Sequence, residues 1–286
     1  MIRIKSLEEY KKFIEEQRTQ TSMSLGSINL LFRGHASDAY KIVPTIARNF
    51  KTVDEILKFE KNLLSLTKAK IVDNKLGSVT LNLPQSKDDF LYDWFLQFQS
   101  RHLEIPSRLI DFSMNEFTAL YFCLSSLDKH GEDGHVWIYP SIKDFSIFTT
   151  KTKQLEKIES DHLHLTAGDT SKEILATINP MNPEKITLLH NSYVLDDWQA
   201  QIGERRKMAQ FGKFVVKPND TLLIPLENHM IGTMMQKLFI DGTSKNKIYT
   251  ELLANYNFDE ERVLPEIPAD TKTLIDEIIS DAKNLM

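Results

Sequence analysis

Pro106 lies in the stretch that most limits how this chain can fold, Gln99-Ser100-Arg101-His102-Leu103-Glu104-Ile105-Pro106-Ser107-Arg108-Leu109-Ile110-Asp111-Phe112-Ser113. Upstream, Phe90, Leu91, Trp94, Phe95 and Phe98 recur at helical spacing behind a Ser86-Lys87-Asp88-Asp89 cap. A proline pushes its predecessor out of the helical region, so that helix must stop and residues 102–107 are expected to turn. Arg108-Leu109-Ile110-Asp111-Phe112 then reads as a short buried strand, and Ser113-Met114-Asn115-Glu116 as the cap of an apolar helix running to Leu127. Arg108 and Asp111 sit inside this apolar run, and buried charges occur as pairs or at working sites. Either the two pair and fix the turn, or they line a pocket. Helix, polar turn, strand and helix start would bring Gln99, His102, Arg108, Asp111 and Ser113 within reach of one another, and the amides at the helix start favour an anion.

The flanking segments supply further walls. Ser6-Leu7-Glu8-Glu9 has the capping-box pattern, with Leu7, Tyr10, Phe13 and Ile14 at helical spacing, so a helix is expected over residues 6–18 and a loop to Gly26. Ile28 to Gly34 reads as a buried strand ending in Arg33-Gly34. A guanidinium there either pairs with a carboxylate at the edge of the core or is aimed into a pocket, where its planar fork suits phosphate or carboxylate. Gly34 would let a ligand or a loop come close to the backbone. His35 and Arg48 either line the same mouth or are simply solvated. Residues 52–70, capped by Thr52, read as scaffold helix, and His135 to Tyr139 as a strand closed by Pro140.

Residues 141–184 are polar and weakly periodic, which points to an insertion; His162 and His164 lack a third metal ligand in sequence range. Beyond them, Ile186–Leu189 reads as a strand and Asp196 or Asp197 as the cap of a polar helix through Met208. Glu204, Arg205, Arg206 and Gln210 form a second polar cluster ahead of a strand that follows Gly212. Leu222–Pro225 is expected to be a strand, residues 227–240 and 245–256 helices, and 271–285 a terminal amphipathic helix. The organisation is therefore an N-terminal helix and loop (1–27), a central α+β domain (28–256) and a C-terminal linker and helix (257–286).

Composition narrows the function. A formal net charge of -5 gives no strong nucleic-acid signal, a single cysteine excludes a disulfide framework, and no run of about 18 apolar residues predicts a membrane span. Phosphate-loop and zinc spacings are absent, so no metal is expected, and the reading is a cytoplasmic protein.

Phe32-Arg33-Gly34, Gln99 to His102, Ile105 to Ser113, Ala119-Leu120-Tyr121-Phe122, Gly134-His135-Val136-Trp137, and Arg206 with Gln210-Phe211-Gly212-Lys213-Phe214 occur in that order. In this set the chain resembles the FRG-domain family, named for its Phe-Arg-Gly motif and widespread in bacteria and their phages. Glu104 stands where that family commonly has glycine, and Phe112-Ser113 where it has Trp-Thr, which keeps the hydroxyl. More distantly, the motif order is similar to that of ADP-ribosyltransferases. That likeness implies a mixed, largely antiparallel sheet core surrounded by helices, and NAD as cofactor. It also implies Arg33, Gly34, Arg108 and Asp111 as the cofactor-binding set. His102 and Ser113 would orient the nicotinamide ribose, and Gln210 or Glu204 would stand in for a catalytic glutamate. The expectation is an NAD-binding ADP-ribosyltransferase or NAD glycohydrolase acting in phage defence or as a toxin on a protein or other macromolecular acceptor. The rivals are a ligand-sensing or partner-binding module without catalysis, and an RNA-cleaving toxin.

Overall fold

The computed structural model describes residues 2–25, 28–72, 96–97, 100–101, 103–142, 193–196, 212–217, 219–228, 230–256, 258, 263 and 267–286. Within them seven strands form one sheet: β1 (Arg3–Ile4), β2 (Ile28–His35), β3 (Leu109–Ser113), β4 (Gly134–Ile142), β5 (Tyr193–Asp196), β6 (Gly212–Val216) and β7 (Gln236–Ile240). Their order is β1-β7-β4-β2-β3-β6-β5. Only β1 and β7 run parallel; every other neighbouring pair is antiparallel, so the sheet is mixed and largely antiparallel and the class is α+β. The β2–β4 ladder is long, from Ile28 opposite Ile142 to His35 opposite His135. The β2–β3 ladder is a single rung, Phe32 opposite Ser113.

Period-two patterning sorts side chains to the two faces of the central strands. Leu30, Phe32, Val136 and Ile138 join Leu238 and Ile240 in a core closed by α1 (Leu7–Leu25), α3 (Glu116–Leu124) and α4 (Lys245–Tyr256). Leu31, Trp137 and Tyr139 pack on the other face with Ile110, Phe112 and Val215. A third core joins α2 (Val53–Val72) to α5 (Ala269–Asn284) through Ile56, Phe59 and Leu63 with Ile275 and Ile278, alongside Leu103 and Ile105 of the turn. At roughly 1.5–3 kcal/mol per fully buried side chain, that seam ties α5 firmly to the body of the protein.

Local capping follows the sequence. The Glu9 amide donates to Ser6 Oγ, and Glu9 Oε2 accepts from the Lys5 amide. Thr52 and Glu55 cap α2 reciprocally through each other's amides. Asn115, rather than Ser113, caps α3: its side chain accepts from the Phe117 amide, while Ser113 Oγ accepts from the Asn115 amide at 2.9 Å. The α3 helix ends at Leu124, where the Ser125 amide still reaches Tyr121 O.

Several expected elements differ. Residues 227–240, read as helix, form 3-10 turns over Leu226–Asn228 and Met230–Met234 and then β7, because the short apolar run Leu238–Ile240 is buried by pairing with β4 and β1. The expected strand at 222–225 is a turn anchored by the Leu226 amide on Ile42 O. Asp196 ends β5, opposite Lys213 of β6, and the helix it was expected to cap falls on residues outside those described. Strand β4 passes through Pro140, beyond the last rung with β7 (Ile138 opposite Gln236), where a missing N–H breaks no bond on that side. The expected helix at 90–95, the insertion from residue 143, the strand at 186–189 and the polar helix at 197–208 lie outside the described residues. No helix among the described residues is long and apolar enough to cross a membrane.

Candidate functional site

A cleft of about 440 Å3 opens where β2 and β3 part beyond their single rung. Its walls come from the end of β2 (Arg33, Gly34, His35), from β3 (Asp111, Ser113), from the turn that precedes β3 (Arg101, Glu104) and from α3 (Thr118, Phe122), with Tyr40 at the lip. Segments far apart in the sequence thus meet in one hollow.

Asp111 is its electrostatic centre. Its carboxylate accepts a close ion pair from Arg101 Nη2, and Arg33 Nη1 lies 3.9 Å from the same oxygen while donating to the Asp111 carbonyl. Burial lowers the Arg33 pKa to about 10, against the pull of Asp111, with Arg101 and Arg48 adding repulsion. Arg48, an exposed residue, is lowered too, first by partial desolvation and then by Arg101. An arginine has five N–H donors. Arg33 uses Nε on His35 and Nη1 on Asp111, and Arg101 uses Nη2 on Asp111, so both guanidinium groups keep a terminal amine to offer.

Gly34 has a packing role. A Cβ there would lie 1.8 Å from Ala119 O and 2.9 Å from Cys123 N, so α3 lies against the bare backbone. What approaches this glycine is a helix, and the approach forms the cleft's inner wall. Glu104, at the position where glycine is commoner in the resembling family, nonetheless adopts φ 62°, a left-handed conformation costly for a residue with a Cβ. The Ile105 amide donates to Ser100 O just beyond it, closing the turn.

Behind Arg33 runs a chain of buried rings. Arg33 Nε donates to His35 Nε2 at 3.2 Å, His35 Nδ1 is 3.2 Å from His135 Nε2, and His135 Nδ1 lies 3.7 Å from Asp38 Oδ1, which Lys237 pairs from outside. Burial, then Arg33, lowers the His35 pKa to about 2; burial, then Lys237, lowers that of His135 to about 3. Both rings are neutral at physiological pH.

Of the expected site residues, Arg33, Gly34, Asp111 and Ser113 line this cleft. Arg108 does not. It is fully buried, makes a two-pronged ion pair with Glu60 of α2, and donates to Asn219 Oδ1 at 2.8 Å and Lys217 O at 3.2 Å. It pins β3 to α2, and its carboxylate partner is Glu60 rather than Asp111. His102, Glu204 and Gln210 lie outside the described residues. Arg101, Tyr40, Thr118 and Phe122 were not singled out as site residues by the sequence reading, nor was the contact of His35 with His135. Cys123 is a core thiol whose pKa burial pushes up to about 12. No group of three or more metal-ligating side chains occurs among the described residues.

A mixed, largely antiparallel sheet that parts over an arginine-lined cleft defines an α+β domain with one candidate site. Residues 28–132 match the model of the FRG domain, and the chain carries an FRG domain over that stretch. The match takes in β2, α2, β3 and α3, hence nearly all of the cleft lining; β4 and β6, whose motifs also resemble the family, lie beyond it. No curated protein and no solved structure matches the chain.

Proposed function

We propose that the cleft binds a nucleotide, NAD being the candidate that the likeness to ADP-ribosyltransferases names. One observation carries the reading: two guanidinium groups, Arg33 and Arg101, meet at Asp111 with hydrogen-bond donors to spare, beside the half-buried ring of Phe122 and the exposed ring of Tyr40. Guanidinium forks suit phosphate oxygens, and aromatic faces suit a base or nicotinamide ring. Arg33 and Arg101 are the phosphate ligands, and Ser113 faces the ribose. Arg108 serves the scaffold.

In the enzymatic form of this reading, the glycosidic bond to nicotinamide breaks with Glu204 or Gln210 supplying the group that steadies the oxocarbenium-like state and His102 orienting the ribose; the setting would be toxicity or phage defence. A ligand-sensing module without catalysis is the second reading. Asp111 favours it, because a carboxylate already held by two arginines is poorly placed to serve as a general base.

Calorimetric titration with NAD and ADP, paired with chromatography for released nicotinamide, tests both. Millimolar or tighter binding is expected, weakened at least about tenfold by Arg33→Ala or Arg101→Ala, since a hydrogen bond to a charged group contributes roughly 1.5–3 kcal/mol. Binding with nicotinamide release supports the enzyme, and binding without release supports the module. No binding at millimolar nucleotide, or RNA cleavage in its place, overturns the proposal.

A further inference from the structure

Arg33 is the end of a hydrogen-bonded line that runs through His35 of β2 to His135 of β4, and the donor at its Arg33 end sets the direction of that line. An arginine Nε can only donate. His35 Nε2, 3.2 Å away, is therefore the acceptor, and the His35 proton sits on Nδ1. That proton points at His135 Nε2, also 3.2 Å away, which must in turn be the acceptor. The His135 proton is consequently on Nδ1, which makes no hydrogen bond; the Asp38 carboxylate lies 3.7 Å from it. Asp38 is half-exposed and held by Lys237. His35 and His135 are opposite each other in the β2–β4 register and are 7% and 0% exposed, so neither ring has room to turn.

We propose that His35 and His135 are positioning residues for Arg33: they form a one-directional hydrogen-bond relay, with the Asp38 carboxylate near its outer end, that holds the guanidinium by its Nε and leaves its Nη2 to the cleft. A neutral imidazole is the fitting holder. It accepts the Nε–H without adding a charge, whereas a carboxylate in its place would neutralise the guanidinium that an anionic ligand needs, and an imidazolium would repel it. The low folded-state pKa values of both rings keep the relay in this form across the physiological range. The inference rests on the nucleotide reading only for what Arg33 binds; the relay itself is a property of the ligand-free protein.

Two measurements decide it. Long-range 1H–15N correlation spectra of histidine-labelled, ligand-free protein report the tautomers, with His35→Gln and His135→Gln supplying the assignments. Both rings are expected in the Nδ1–H form, and an Nε2–H form at either overturns the relay. ADP titration then reads the positioning. His35→Leu, which removes the acceptor, is expected to weaken ADP by about tenfold. His35→Gln, whose amide oxygen can take the Arg33 Nε–H, is expected to recover most of that loss. Asp38→Ala, at the exposed end, is expected to leave the fold and both tautomers as in the wild type, and an Nε2–H form of His135 in that variant also overturns the relay. Equal ADP affinity in His35→Leu and wild type overturns the positioning role. If wild-type protein binds no ADP, the nucleotide reading fails while the tautomer spectra still decide the relay.

Discussion

Lowering the pH should unfold this protein through His35 and His135 before its carboxylates protonate. Both rings are almost fully buried, with folded pKa values of about 2 and about 3 against an unfolded value near 6.5. Below pH 6.5 the unfolded chain therefore binds protons that the folded protein refuses, so stability falls as pH drops from about 6.5 toward about 3. Each such proton costs about 1.4 kcal/mol per pH unit. Between pH 6.5 and 4.5 the loss is about 2.3 kcal/mol per histidine, or about 4.6 kcal/mol for the two, a large part of the roughly 5–15 kcal/mol that holds a domain together. Other groups act elsewhere. The lowered carboxyls of Asp38, Glu55, Glu132 and Asp241 lose their contribution only at lower pH, and Lys217, lowered to about 8, changes nothing in this window. Urea unfolding at pH 6.5, 5.5 and 4.5 measures the slope, and His135→Gln should flatten it by about 1.4 kcal/mol per pH unit. Equal slopes in wild type and variant would refute the reasoning, because they would mean that His135 takes up the same protons folded or unfolded.

Three further outcomes follow from particular contacts. Gly34→Ala places a methyl on the Ala119 carbonyl and should destabilise the protein by about 3 kcal/mol or more, seen as a lowered urea midpoint; an unchanged midpoint would mean that α3 can move away freely. Glu60→Ala leaves Arg108 buried without its carboxylate and should cost about 3–5 kcal/mol, with Arg108→Met tolerated better than Glu60→Ala in the same assay. Glu104→Gly should be neutral or stabilising by up to about 1 kcal/mol, and Glu104→Val destabilising by about 1–2 kcal/mol, since only the first relieves φ 62°; thermal melts that rank them the other way would remove the strain argument.

Much of this was legible before the fold was known, and the failures have identifiable causes. The helices starting after Ser6 and Thr52 announced themselves by capping boxes, and Pro106 marked the turn before β3. Arg108 and Asp111 were rightly singled out as charges that burial would not tolerate alone, but their partners were not readable from within the segment. Glu60 lies 48 residues from Arg108. A clue did exist, for Glu60 falls at i+4 from Ile56 and i−4 from Leu64 on the apolar stripe of α2, and a carboxylate there demands a buried cation. The misreading of β7 as helix came from a short apolar run with no clear period, which only its neighbours could resolve. The two-residue β1 carries too little pattern to detect. The relay behind Arg33 depends on His35 and His135 standing opposite in a ladder exactly 100 residues apart in sequence, a fact of register rather than composition.

The lone rung between β2 and β3 has a mechanical meaning. Four strands stand on one side of it and three on the other, and a sheet normally resists bending because every rung along a ladder must yield together. Here one rung is all that yields, so the seam is the most compliant line in the sheet, crossed otherwise by the Arg33 bond to the Asp111 carbonyl. A molecule seated in the cleft touches both banks at once and acts as a strut. Its grip is then felt as stiffness across the whole sheet, and the slow exchange of amides far from the cleft becomes a reporter of whether anything is bound there.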